Sequence, residues 1–201
     1  MQTNNSLLKT FIFMGRSGSG KGTQAKLLMD EIKRRDPSSP IFYLETGKFF
    51  REYIAKEGFT NKIAKEIVEG GGRVNSFLAI WMWTNALIEN MKGDEHLIID
   101  GSPRTIQEAQ VMDTAVDFYK RQNPIIVYIN TSRTWCEERL VERHRNDDLT
   151  IEHIRKKLDW FESDVEGAIW WYRNQAKYKF AEINGEQSVE EVHKEVMIKC
   201  L

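Results

Sequence analysis

The runs Phe11-Ile12-Phe13-Met14 and Ile125-Ile126-Val127-Tyr128-Ile129 are almost unbroken apolar stretches, where a strand with one wet face would alternate. Strands with helices on both faces carry such runs. Five β-rich segments recur along the chain, at Thr10 to Met14, Ile41 to Leu44, Leu97 to Asp100, Ile125 to Ile129 and Phe180 to Ile183, with helical patterns between them. That alternation predicts an α/β fold, a five-stranded parallel sheet covered by helices on both faces.

Between the strands, Gly22 to Arg35 reads as a helix closed by Asp36-Pro37, and Thr105 to Gln122 as another closed by Asn123-Pro124. Ser76 to Met91 carries a stripe of Phe77, Ile80, Trp81, Thr84, Leu87, Ile88 and Met91, expected to face the core. Thr46 to Val74 holds two short helical patterns split by Gly58-Phe59-Thr60 and ended by Gly70-Gly71-Gly72, an excursion from the sheet. Repeats, low-complexity stretches and linkers are absent from the sequence, so residues 1–201 are expected to form a single domain.

Composition narrows the function classes. Twenty-nine Lys and Arg against thirty Asp and Glu leave a formal net charge of −1, so no global field draws the chain to nucleic acid or to an anionic membrane. Met1 to Lys9 is polar, without the apolar run of a secretion signal, and no stretch reaches the length of a membrane span. The expectation is a cytoplasmic, monomeric protein. Cys136 and Cys200 stand far apart without metal-ligand spacing and are expected to be reduced, buried thiols. Trp135, Trp160, Trp170 and Trp171 are expected in the core.

The strongest chemical signal is Gly15-Arg16-Ser17-Gly18-Ser19-Gly20-Lys21-Gly22-Thr23, directly after an apolar strand and directly before a helix. Glycines let successive backbone N–H groups turn inward on phosphate oxygens, and the following helix adds its positive end. Lys21 would supply a full charge to the β- and γ-phosphates, and Thr23 a hydroxyl for a magnesium ion. A generic phosphate loop has Ser or Thr immediately after the lysine, whereas Gly22 intervenes here.

The string Gly-Ser-Gly-Lys-Gly-Thr-Gln at 18–24 resembles the adenylate kinases and their nucleoside monophosphate kinase relatives. Asp100-Gly101-Ser102-Pro103-Arg104-Thr105 and Thr46-Gly47-Lys48-Phe49-Phe50-Arg51 are similar to two further motifs of that family, and Gly72-Arg73-Val74, the arginines at 139–145, Asp147-Asp148 and Ile183-Asn184-Gly185 follow in family order. The resemblance implies a nucleoside monophosphate kinase fold with an acceptor-binding excursion at about 46–75 and a minimal lid at about 139–148. It implies reversible phosphoryl transfer from Mg-ATP to a nucleoside monophosphate. AMP is placed first, with GMP, CMP or UMP as competing acceptors.

What the resemblance implies residue by residue follows the chemistry. The attacking phosphate oxygen needs no general base, so the task is to bring two polyanions together in line. Gly18, Ser19, Gly20, Lys21, Gly22 and Thr23 would hold ATP, with Arg139 on its base and Gly185 completing that base site. Arg51 and Arg104 would grip the acceptor phosphate bidentately. Lys21, Arg104, Arg139, Arg143 and Arg145 would act at the transferring group, and Thr23 and Asp100 would hold magnesium directly or through water. Thr46, Gly47, Gly72, Val74, Gly101, Glu108 and Arg145 complete the acceptor set, with Arg155 or Lys157 replacing a helix arginine. Structural zinc is not expected.

Two departures from the family bear on function. Only His144 separates Arg143 from Arg145, where long-form adenylate kinases insert a lid. Glu108 stands where they place a glutamine that reads adenine; glutamate only accepts hydrogen bonds, which suits guanine's two adjacent donors better than adenine alone. A kinase for another small molecule on the same fold would not explain two arginines aimed at an acceptor. A nucleotide-binding regulator without turnover is the lesser alternative, weakened by the retention of Lys21, Asp100 and the arginines at 139–145 but kept open by Lys157 in place of a helix arginine.

Overall fold

The computed structural model describes residues 8–70, 72–143 and 150–201, Arg143 by its backbone alone. Five strands, β1 (Thr10–Met14), β2 (Ile41–Glu45), β3 (His96–Asp100), β4 (Ile125–Asn130) and β5 (Lys179–Asn184), form one sheet in the order β2-β3-β1-β4-β5. Every pairing is parallel; Phe13 lies opposite Asp100 on β3 and Val127 on β4. The order reverses beside β1, and in open parallel sheets ligands bind outside the carboxyl ends of the strands at such a switch point. The phosphate loop leaves β1 at that end.

The unbroken apolar runs are explained by two cores, one on each face. Phe11, Phe13, Ile98, Val127 and Ile129 pack against Ala25, Leu28 and Ile32 of α1 (Lys21–Arg35) and Val192, Val196 and Cys200 of α9 (Val189–Cys200). On the opposite face Ile12, Met14, Leu97, Ile99, Ile126 and Tyr128 meet α4 (Ser76–Asn90), α5 (Ile106–Phe118) and α8 (Glu166–Arg173) through Trp83, Leu87, Met112, Ile169 and Tyr172. Cys136 and Cys200 are both buried, free thiols.

Helix ends follow local chemistry. Lys33, Arg34 and Arg35 close α1 against its negative end. Thr105 accepts a hydrogen bond from the Glu108 N–H to start α5, and Ser188 with Glu191 forms a full capping box for α9. The helix expected to run to Gln122 stops at Phe118 instead. The Arg121 N–H reaches back to the Val116 carbonyl with Lys120 in the left-handed region at φ 51°, a Schellman-type close. This early turn delivers the buried Arg121 guanidinium to Thr10 Oγ1, the Lys9 carbonyl and the Glu95 carbonyl at 2.8, 3.0 and 2.9 Å.

The excursion is built as expected, from α2 (Thr46–Ile54) and α3 (Phe59–Glu69). The phase of α4 is not. Leu78, Met82, Trp83, Ala86 and Leu87 form its buried face, while Phe77 and Ile88 from the expected stripe are about three-quarters exposed, at 70% and 73%. The segment is apolar almost all round, so periodicity cannot fix its inward face. Trp81 instead stacks edge-on against Tyr53 of α2, its ring centroid 5.5 Å away. Trp170 is exposed, against the expectation of a core position.

Beyond α6 (Arg133–Arg143), α7 (Ile151–Trp160) runs through a π-helical turn at Phe161–Val165 into α8. That turn sends Phe161 into the core and sets Asp164 on the cleft described below. No helix among the described residues is long and apolar enough to cross a membrane.

Candidate active site

The loop at 15–20 is a backbone structure that side chains would disrupt. Gly15, Gly18 and Gly20 have φ of 149°, 88° and 85°. A Cβ on Gly18 would stand 2.9 Å from the Cys136 carbonyl oxygen, so α6 backs the loop directly. The Ser19 N–H donates to the Arg16 carbonyl at 3.1 Å, and Lys21 Nζ reaches the same carbonyl at 3.4 Å. Arg16 fastens the loop to its surroundings, donating to the Thr131 carbonyl at 2.6 Å and to Glu166 at 3.2 Å with its guanidinium over the Phe161 ring.

Asp100, at the carboxyl end of β3, leans over the start of α1. Its Oδ2 accepts from the Tyr43 hydroxyl at 3.1 Å and lies 3.0 Å from where a Cβ on Gly22 would be, so Gly22 leaves the carboxylate its room. Burial, with Asp100 and Glu45 alongside, pushes the Tyr43 hydroxyl pKa far up and keeps it a donor. Asp100 Oδ1 is buried without a hydrogen-bond partner. A buried carboxylate oxygen left open, beside Gly22 in the first turn of α1, is the donor chemistry that a magnesium ion carried in by nucleotide phosphates uses through its waters. No cluster of three or more His, Cys, Asp or Glu suited to a metal occurs among the described residues.

At the start of α2, Thr46 Oγ1 donates to the Asp100 carbonyl at 3.1 Å. Gly101, at φ 91°, would place a Cβ 2.8 Å from that hydroxyl. Arg104 Nε donates to the Gly101 carbonyl at 2.8 Å, which fixes the guanidinium at the cleft. Arg51, on α2, pairs with Glu45 at 3.2 Å and is about half exposed. Lys21, Arg51 and Arg104 thus line one cleft together with Gly15, Thr46, Gly47 and Asp100. The cleft has apolar walls of Phe49, Val68, Val74, Met82 and Trp83, and also takes in Gly72, Gly101, Lys157 and His153.

Glu108 is 1% exposed, so it is a buried cleft residue and not part of the exposed helix surface. Its Oε2 accepts from the Arg104 N–H at 3.0 Å and its Oε1 lies 3.9 Å from Arg73 Nη1; Arg73 Nη2 in turn lies 3.3 Å from Asp164. Burial raises the Glu108 pKa, opposed by the Arg104 N–H and the two arginine charges. The folded chain therefore holds this proton more tightly than the unfolded chain. The group's contribution to stability is full below the unfolded carboxyl value near ~4.3 and is lost as pH rises through the folded value. Urea unfolding from pH 4 to 7 is expected to show this downward slope in wild type and a flatter one in Glu108→Gln; parallel slopes would show that Glu108 does not titrate in the window.

Several expected site residues are not among those that line this cleft. Arg155 turns away from the cleft to pair with Glu137 on α6 at 2.9 Å, so Lys157, just over half a turn along the same helix, is the one that lines the cleft. Arg139 stacks on Trp135 at 4.6 Å. Gly185 packs at the ends of β4 and β5, where its N–H donates to the Asn130 carbonyl at 2.8 Å and a Cβ would collide with Thr131. Arg145, His144, Asp147 and Asp148 lie outside the described residues, as does the Arg143 side chain. The sequence reading assigned no role to Arg73, Asp164 or Arg16. Arg16 and Arg73 sit inside two of the motif strings, but what they do, like what Asp164 does, depends on partners 35 to 150 positions away.

A switch-point cleft with a glycine-rich phosphate loop at one end and paired arginines at the other defines a phosphate-loop nucleoside monophosphate kinase. The family model described as "Adenylate kinase" matches residues 13–177, and the chain belongs to that family. It is 30% identical to the adenylate kinase of Azobacteroides pseudotrichonymphae over 92% of this chain and 93% of that one. It is 24% identical to that of Elusimicrobium minutum, over 92% and 95%, and 26% identical to that of Helicobacter hepaticus, over 94% and 95%. The chain is an enzyme of ATP-dependent phosphoryl transfer to a nucleoside monophosphate.

Proposed function

We infer that the acceptor is AMP and the reaction ATP + AMP = 2 ADP, run in both directions. The observation that carries this reading is the single cleft shared by Lys21, Arg51 and Arg104, which lets two phosphorylated ligands meet end to end. Loop amides and Lys21 hold the β- and γ-phosphates, Arg51 and Arg104 fork the AMP phosphate, and the acceptor oxygen lies in line with the γ-phosphorus. Catalysis is positioning plus charge neutralisation, so no side chain has to move a proton. Bound magnesium, held with the nucleotide by Asp100 and Thr23, would neutralise charge on the phosphate oxygens. Arg139, Arg143 and Arg145 are the cations expected to close over the transferring group. The net charge of −1 gives no field toward nucleic acid or membrane, in keeping with small nucleotides as the partners of this proposed cytoplasmic monomer.

Purified protein with Mg-ATP and each of AMP, GMP, CMP and UMP, followed by product chromatography, tests this. Turnover is expected with AMP at least about tenfold above the others in kcat/KM, the discrimination that one mispaired polar group gives. Preference for another base would replace AMP, and nucleotide binding without turnover would make the chain a regulator.

A further inference from the structure

Arg73 and Glu108 meet without satisfying each other. Their 3.9 Å separation is a Coulombic contact and too long for a hydrogen bond. Each is anchored from behind instead, Glu108 by the Arg104 N–H at 3.0 Å and Arg73 by Asp164 at 3.3 Å. Both line the cleft, at the end where the walls turn apolar and where a base would lie once its phosphate sat on Arg51 and Arg104. A carboxylate oxygen and a guanidinium N–H side by side form an acceptor–donor pair.

Resting on the reading that AMP is the acceptor, we propose that Arg73 and Glu108 together read the adenine edge, Glu108 accepting from the exocyclic amine and Arg73 donating to N1. A carboxylate alone would face N1 with a second acceptor, and Arg73 removes that clash. With AMP as the acceptor, complementarity sets the order, Glu108 at the exocyclic amine and Arg73 at N1, whereas the reverse order would suit guanine. A base with a carbonyl oxygen at position 6 and a hydrogen at N1, as in GMP, would meet oxygen with carboxylate and N–H with guanidinium. Discrimination then comes from repulsion as well as from attraction. Asp164 sets the guanidinium's angle, which gives the π-helical turn a function: it carries that carboxylate into the cleft.

The test uses the wild-type enzyme first. Equilibrium binding of AMP is compared with 1-deaza-AMP, which lacks the N1 acceptor and keeps the amine. The analogue is expected to bind about 10- to 100-fold more weakly, as for a lost charged hydrogen bond; equal binding overturns the proposal. Kinetics with AMP and GMP then compare wild type, Arg73→Met and the double variant Arg73→Met/Glu108→Gln. Arg73→Met is expected to lose about 10- to 100-fold in kcat/KM for AMP, mostly through KM, with the AMP-to-GMP ratio falling at least about tenfold. The double variant is expected to recover most of that loss, because one amide supplies both acceptor and donor. An unchanged ratio, or a double variant as poor as the single, overturns the proposal and leaves Arg73 a structural tie. Should wild type turn over GMP and not AMP, the acceptor reading itself falls, and the binding comparison separates that outcome from failure of the pair.

Discussion

Lys21→Ala is expected to lower kcat by at least about 10³-fold, the scale on which a single well-placed cation acts in phosphoryl transfer. Lys21 opens α1, so alanine costs that helix nothing in propensity. Its side chain lines the cleft and reaches the Arg16 carbonyl across the loop, where the transferring phosphate would lie. The loss should therefore be one of chemistry. Circular dichroism and the unfolding midpoint are expected to match wild type, while ATP binding weakens by much less than turnover. A variant with more than about a tenth of wild-type kcat would remove Lys21 from the reaction, since a charge used in the transition state contributes several kcal/mol there.

The sheet and the phosphate loop were legible because their signals are local. Unbroken apolar runs mark doubly covered strands, and the glycines at 15, 18 and 20 sit in sequence where the backbone needs positive φ. Contacts between distant segments were not legible. Arg155 and Lys157 lie two residues apart, and only the packing of α7 on α6 through Leu140, Ile154 and Leu158 decides which one meets Glu137 and which one meets the cleft. The face of α4 was misread for a related reason: with Phe77, Trp81 and Ile88 as apolar as Met82 and Trp83, burial is decided by where α2 and the sheet lie and not by composition. Glu108 shows the subtler case. Its identity was informative from the sequence, but its meaning depends on Arg73, which reaches it only after the excursion folds back.

Arg104 should be far more sensitive than Arg51, although both are expected to grip the same phosphate. The Arg104 guanidinium is pinned through Nε to the Gly101 carbonyl at 2.8 Å, so its plane is set at the cleft before a ligand arrives and little side-chain freedom is left to lose. Arg51 is half exposed on α2, where its contact with Glu45 at 3.2 Å is screened by solvent, so the side chain must still be ordered when a ligand arrives. Arg104→Ala is therefore expected to lower kcat/KM for the acceptor by about 10³-fold, on the arginine scale for phosphoryl transfer, and Arg51→Ala by about 10- to 100-fold, mainly in KM. Arg104→Lys should fall near the alanine variant, because an ammonium can keep neither the Nε anchor nor the bidentate fork. Steady-state kinetics with varied AMP at saturating Mg-ATP give all three values. Near-wild-type activity in Arg104→Lys would mean that point charge suffices and that the anchored fork contributes nothing; a larger loss in Arg51→Ala than in Arg104→Ala would place the acceptor phosphate on the excursion instead of on the loop after β3.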